Sequence, residues 1–253
     1  MFVALTGVAL CAPAGKHILA KTAQAPDATA APAIDPDAIE ALNNMGKYLR
    51  SLNAIQVQAE IHTDGVLDDG QIIQSSRNVD LLAVKPNRLR AEVKGDGIHR
   101  LFLFDGKNFT IFGELVNYYA TVPAPPTIRE LIAHLDEKYG MELPLVDLFK
   151  WGTDDADVKK IISAVDIGSA TINGVTCEQY AFRQTGIDWQ IWIQLGDYPL
   201  PRKLVIRTLN DEARPQHSEE LTWNLAPSFS DNAFTFDPPP DAHRIVIEEM
   251  KAN

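Results

Sequence analysis

The side chains best suited to nucleophilic or metal chemistry are few and scattered. The chain has two cysteines, Cys11 and Cys177, and six histidines, His17, His62, His99, His134, His217 and His243. Cys177 lies between Val175 and Gln179 with no histidine nearby in sequence, so it reads as a small buried hydrophobe rather than a nucleophile. The histidines make neither an H-E-x-x-H pair nor another metal spacing. His62 and His99 are the two that could meet across strands, but surface positions account for them better. No G-x-S-x-G motif supplies an alternative nucleophile. Asp154, Asp155 and Asp157 form an acidic knot, yet a calcium loop needs a regular carboxylate ladder, a central glycine and a closing glutamate. A solvated loop explains it. Asp64, Asp68 and Asp69 fit turn chemistry. Glu219 and Glu220 could supply half of a carboxylate pair for hydrolysis, with no partner identifiable. The expectation is therefore a non-enzymatic protein without metal or cofactor. A cleft with convergent carboxylates of perturbed pKa would revive the enzyme reading.

The aromatic residues form the more informative group: Phe102, Phe104, Phe109, Tyr118, Trp189, Trp192 and Trp223. Core packing explains such residues by default. A cavity for an apolar ligand needs the same residue types facing inward.

These side chains must be positioned by a mostly β chain. Hydrophobic residues make up 45% of it, enough for a sizeable core, and the formal net charge is −11. Such a chain is repelled by nucleic-acid phosphates and by anionic membrane surfaces, which excludes nucleic-acid binding as a main role. Asp35 and Pro36 open a helix, and Ile39, Leu42, Met45, Leu49 and Leu52 form its apolar stripe. The period then changes to two. Ile55, Val57, Ala59 and Ile61 alternate with polar residues, Asp64-Gly65 and Asp69-Gly70 mark a turn, and a long strand runs over 71–84. After Pro86-Asn87, Leu89, Ala91 and Val93 alternate with charged neighbours. Strands follow over 98–104, 109–112 and 116–121, with Asp105-Gly106 as a two-residue hairpin turn.

Thr127 and Glu130 make a capping box ahead of a second helix that Gly140 ends. A shorter helix is expected over 145–151. Further strands are read over 158–167, 175–183, 189–195, 202–209 and 218–225, where Leu221, Trp223 and Leu225 alternate cleanly. The fold class is mainly β (α+β): roughly eleven strands in a curled antiparallel sheet, with two or three helices against one face. The connections are too short for parallel crossovers.

The N-terminal residues read as a targeting segment. Phe2 to Leu10 is apolar but too short to span a bilayer. Ala12-Pro13-Ala14 and Ala23-Gln24-Ala25 fit the small-x-small cleavage rule. Val8-Ala9-Leu10-Cys11 falls short of a lipoprotein signal because Leu10 is too large for its position. A lipid-anchored form through Cys11 therefore ranks below simple export. Residues 21–36 are rich in Ala, Pro, Asp and Thr and read as a tether. The expected organisation is a signal segment and linker over 1–36 and one domain over 37–253.

Four stretches carry a family resemblance. They are Val84-Lys85-Pro86-Asn87 followed by Arg88-Leu89-Arg90; Phe104-Asp105-Gly106-Lys107 with the later Asn117-Tyr118-Tyr119; Leu200-Pro201-Arg202-Lys203-Leu204; and Phe234-Thr235-Phe236-Asp237-Pro238-Pro239. Their order and spacing over residues 37–247 resemble the LolA/LolB superfamily of lipoprotein carriers, within an uncharacterised branch of predicted periplasmic proteins. The resemblance implies a half-open barrel whose helices act as a lid over a hollow for acyl chains. It also implies a periplasmic location. LolA-type carriers hold the lid with an arginine just before the Pro-Asn turn. Lys85 stands there, and lysine lacks the planar fork of donors, so Lys85 is at most a simpler lid contact.

Together these readings predict a periplasmic, monomeric binding protein for an acylated or other hydrophobic ligand, acting as carrier or sensor of lipid or lipoprotein. Leu89, Ala91, Val93, Phe102, Phe104, Trp189, Leu221, Trp223 and Leu225 would line the concave face, closed by Leu42, Leu49, Leu131 and Leu135 of the helices. The alternative is a protein-interaction or regulatory module of the cell envelope, with a filled core and an envelope protein as partner.

Overall fold

The structure, a computed structural model, describes residues 33–153 and 158–250. The targeting segment, the tether before residue 33, Cys11, His17 and the acidic run Asp154, Asp155 and Asp157 lie outside the described residues.

Helix α1 spans Pro36–Ser51, capped by Asp35, whose carboxylate accepts from the Asp37 amide at 2.9 Å. Six strands follow: β1 (Ala54–Val66), β2 (Ile72–Val84), β3 (Arg88–Gly95), β4 (Ile98–Phe104), β5 (Asn108–Gly113) and β6 (Tyr118–Pro123). Helix α2 (Ile128–Tyr139) and the single turn α3 (Asp147–Lys150) come next. Then come β7 (Ser163–Ile172), β8 (Val175–Gln184), β9 (Ile187–Gln194), β10 (Pro201–Thr208), β11 (Gln216–Asn224) and the two-residue β12 (His243–Arg244).

The strands form one sheet in the order β12-β6-β5-β4-β3-β2-β1-β11-β10-β9-β8-β7. It is a curled meander whose ends do not meet, with the helices against one face: the half-open barrel with a helical lid. Every strand pair is antiparallel except β12 with β6. The strands β7 and β6 are each met near one end by a short stretch of chain. Residues 33–35 bond to β7, with the Asp35 amide donating to the Ala164 carbonyl at 2.9 Å. At the other edge the Ile245 amide, just past β12, donates to the Tyr119 carbonyl of β6 at 2.8 Å.

Local differences from expectation have plain causes. Asp64-Gly65 is not a turn: β1 pairs through it to Val66, and Asp69-Gly70, with Gly70 at φ 85°, makes the reversal alone. The Asp105-Gly106 reversal is a three-residue loop, because the Asp105 carboxylate accepts the Lys107 and Asn108 amides at 2.8 and 2.7 Å. In the α2 cap the Thr127 hydroxyl accepts from the Glu130 amide at 3.2 Å. The Glu130 carboxylate accepts from that hydroxyl rather than from an amide. Val158–Lys160 is a 3₁₀ turn, so β7 starts later and runs further than expected. Twelve strands stand where about eleven were expected, since β12 is too short for alternation to reveal.

The interior divides into two apolar clusters. One joins β1 to β5 and β11 with α2 and the α3 region, through Leu131, Leu135, Leu145 and Leu148. The other joins β7 to β10 with α1, through Leu42, Met45 and Leu49. Among the described residues, no helix is long and apolar enough to cross a membrane.

Candidate functional site

Strand registers place side chains in rows across the concave face. The row Trp223–Val57–Leu81–Ala91–Phe102–Ile111 is apolar throughout. The next, Leu221–Ala59–Val79–Val93–Arg100, ends in a cation. The third, Glu219–Ile61–Arg77–Gly95–Ile98, carries both signs. Beyond it His217 faces Thr63, and Thr63 faces Ser75. Polarity thus rises row by row toward one end of the face, because alternation fixes the face but not the character of each residue on it.

At that end a cavity of about 260 Å³ lies between the sheet and the connection from α2 to α3. Its floor is Ile61, Val79, Val93, Ile98 and Phe102; its roof is Leu143 to Asp147. Arg77, Arg100, Glu142, Asp147, His217 and Glu219 give it a polar rim. The His217 ring bridges Thr63 Oγ1 at 2.9 Å and Glu219 Oε1 at 3.0 Å. Arg77 donates to the same hydroxyl at 3.2 Å. Asp147 faces Lys150 at 4.0 Å. Its side chain keeps 53% of its area exposed, yet the crowded mouth still desolvates it. That desolvation, helped by Glu219 and Glu142 and opposed by Lys150, raises its pKa above the usual carboxylate value.

The predicted lining residues fall into both clusters. Leu89, Ala91, Val93, Phe102, Phe104 and Leu221 stand together under α2, where Leu131 and Leu135 cover them. Of these, Val93 and Phe102 reach the cavity. Trp189 and Leu225 belong to the cluster beneath α1, with Leu42 and Leu49, and Trp223 touches both clusters. The rim residues Arg77, Arg100, Asp147 and His217 were not anticipated. Arg77 stands two residues before Val79, and Arg100 two before Phe102, so period-two counting puts both arginines on the apolar face.

The turn carrying Lys85 touches both lid helices. Lys85 Nζ donates to the last carbonyls of α1, Leu49 O at 3.0 Å and Arg50 O at 2.9 Å. Burial, with the neighbouring Arg50, lowers its pKa. The Pro86 carbonyl accepts the Ile128 amide at the start of α2 at 2.8 Å. Farther along α1, Gly46 meets the turn after α3: a Cβ at Gly46 would stand 2.6 Å from Gly152 Cα.

Other candidate groups sit apart from the cavity. His62 and His99 do not meet, since β2 and β3 separate β1 from β4; His62 instead contacts Ser76 Oγ at 2.8 Å. On the convex face His99 lies between Glu92, at 2.8 Å, and Glu114, while Glu92 also pairs with Lys94 at 2.7 Å. Cys177 is fully buried, and burial pushes its thiol pKa up. Glu220 points away from Glu219 and pairs with Lys203 at 2.7 Å.

No curated protein matches the chain in sequence. Among solved structures, MucB resembles it at 14% identity over 80% of this chain and 64% of that one, with a TM-score of 0.48. The Mycobacterium tuberculosis lipoprotein LppX resembles it at 12% identity over 77% and 98%, with a TM-score of 0.47. A LolA superfamily protein from Nitrosomonas europaea does so at 8% identity over 79% and 97%, with a TM-score of 0.40. The family described as predicted periplasmic protein (DUF2092) matches residues 38–248, and the chain belongs to that family.

Proposed function

We propose that this chain is a non-enzymatic periplasmic binding protein for an acylated or other hydrophobic ligand, a carrier or sensor of lipid or lipoprotein. The observation that carries the reading is the concave face itself: a continuous apolar row, Trp223 to Ile111, beside a second that is apolar up to Arg100 and runs into a roofed cavity at one end. Burial of an acyl chain there would stabilise the complex by about 0.8 kcal/mol per CH₂. The cavity lies just below the 300–1,000 Å³ typical of small-molecule pockets, so a long chain requires the roof and α2 to lift.

The hydroxyl, imidazole and carboxylate of Thr63, His217 and Glu219 are in contact, but acyl transfer also needs donors, from backbone or side chains, aimed at the developing oxyanion. Thr63 sits mid-strand, paired on both sides with His217 and Ser75. The amides around it are thus committed to strand pairing, and we read the arrangement as a binding site.

Native mass spectrometry of protein exported and purified without detergent tests the proposal. Adducts at lipid masses that vanish on denaturation are expected. A clean apo mass, with no uptake of added fatty acid or phospholipid, would defeat it.

The filled region under α2, where Leu89, Ala91 and Phe104 are fully buried, favours a second reading. In it the same fold is an envelope interaction module. A stable protein partner recovered by envelope cross-linking, with no lipid bound, would select this reading.

A further inference from the structure

Two cations, Arg77 and Arg100, line the polar end of the concave face. Arg77 and Arg100 belong to β2 and β4, whose axes lie about 10 Å apart across β3, and they sit one row apart, opposite Gly95 and Val93. The residue of β3 opposite Arg77 is Gly95. It puts no side chain beside Arg77, and an added Cβ there would stand 2.8 Å from Arg77 Cβ and 2.4 Å from Ser76 O. Two long guanidinium side chains can therefore converge over a gap at the cavity mouth.

The other charged groups of the rim are differently placed. Asp147 faces Lys150, Glu219 accepts from His217, and Glu142 is exposed on the roof. Among the described residues neither arginine makes an ion pair. The Arg77 side chain donates only to the neutral Thr63 hydroxyl, and the Arg100 side chain makes no hydrogen bond. The carboxylates of Glu219 and Asp147 are answered from within the protein; the two guanidiniums are not.

We propose that Arg77 and Arg100 form a head-group site for the carboxylate or phosphate end of an amphiphile, whose apolar part lies on Val79, Val93 and Phe102. Guanidinium forks bind both anions by paired charge-assisted hydrogen bonds. The row-by-row rise in polarity supplies the remaining match, from hydrocarbon floor to charged mouth. This inference rests on the hydrophobic-ligand reading and narrows it to one class, anionic single-headed amphiphiles.

Isothermal titration of the exported protein with decanoate, decyl phosphate, decanol and inorganic phosphate tests it. Decanoate and decyl phosphate should bind about tenfold or more tighter than decanol, the scale of one charge-assisted hydrogen bond. That preference should collapse in Arg100→Gln and in Arg77→Gln. The Arg100 side chain has no internal hydrogen bond to lose, so its variant decides the matter should Arg77→Gln fail to fold. Equal binding of decanol and decanoate would overturn the head-group site and leave the hydrophobic reading standing. A preference that survives in Arg100→Gln would also overturn it. Inorganic phosphate binding as tightly as decyl phosphate would replace the amphiphile with a free anion. Binding of none of the four would remove the hydrophobic reading and this inference together.

Discussion

The ammonium group of Lys85 donates to the Leu49 carbonyl at 3.0 Å, which joins the turn after β2 to the last turn of α1. The carbonyls at a helix C-terminus lack intrahelical partners and carry partial negative charge, so a cation there both satisfies and stabilises them. Lys85→Met should therefore lower stability by about 1 kcal/mol, near the low end for a charged hydrogen bond because the side chain is partly exposed. Urea unfolding measures it. Lys85→Arg should recover much of the loss, since arginine also carries a cation and several donors to the terminal carbonyls of a helix.

Gly46→Ala should be more damaging. The added methyl would press on Gly152, whose backbone stands 2.6 Å away and whose φ of 74° resists adjustment. Overpacking of this kind costs about 1–3 kcal/mol. A lowered urea midpoint with unchanged slope is the expected result.

Asp147 should give the protein a pH-dependent term. Its folded pKa is raised, so the folded state holds the proton more tightly than the unfolded chain. Stability should then fall as pH rises from the ordinary carboxylate value through the raised one, and the loss should be complete above it. Asp147→Asn should be more stable than the parent at neutral pH by up to about 0.5 kcal/mol, a small figure because the group is half exposed. Thermal melts from pH 3 to 8 should show the two proteins converging at the acid end.

Phe102→Ala should deepen the cavity. The ring forms part of the floor and stacks on Phe109 with centroids 6.3 Å apart. Its removal should cost about 3–5 kcal/mol in the absence of ligand. It should also shift chain-length preference toward longer alkyl chains in the same titrations.

Much of the fold was legible because period-two alternation is strong where one face is apolar. Leu89-Ala91-Val93 and Leu221-Trp223-Leu225 are such runs, and the Asp35 and Thr127 caps marked α1 and α2. Alternation could not reveal how rows align across strands, and the site depends on that alignment. Arg77 and Arg100 lie 23 positions apart in the chain and come to one cavity rim only through the registers of β2, β3 and β4. The roof was also obscure. Leu143 and Leu145 are buried from irregular chain, whereas a continuous helix over 145–151 had been expected; only Asp147–Lys150 is helical.

Short stretches of the same chain cover one end of each margin, residues 33–35 at Ala164 of β7 and residues 243–245 at Tyr118 and Tyr119 of β6. Bare strand margins are templates on which a second molecule can add its own strand. Here that valence is spent internally over only a residue or two of each margin, and among the described residues most of β7 past Ala164 meets no further strand on that side. Each stretch narrows the margin on which a polymer could grow, and a chain trimmed of either one would widen it.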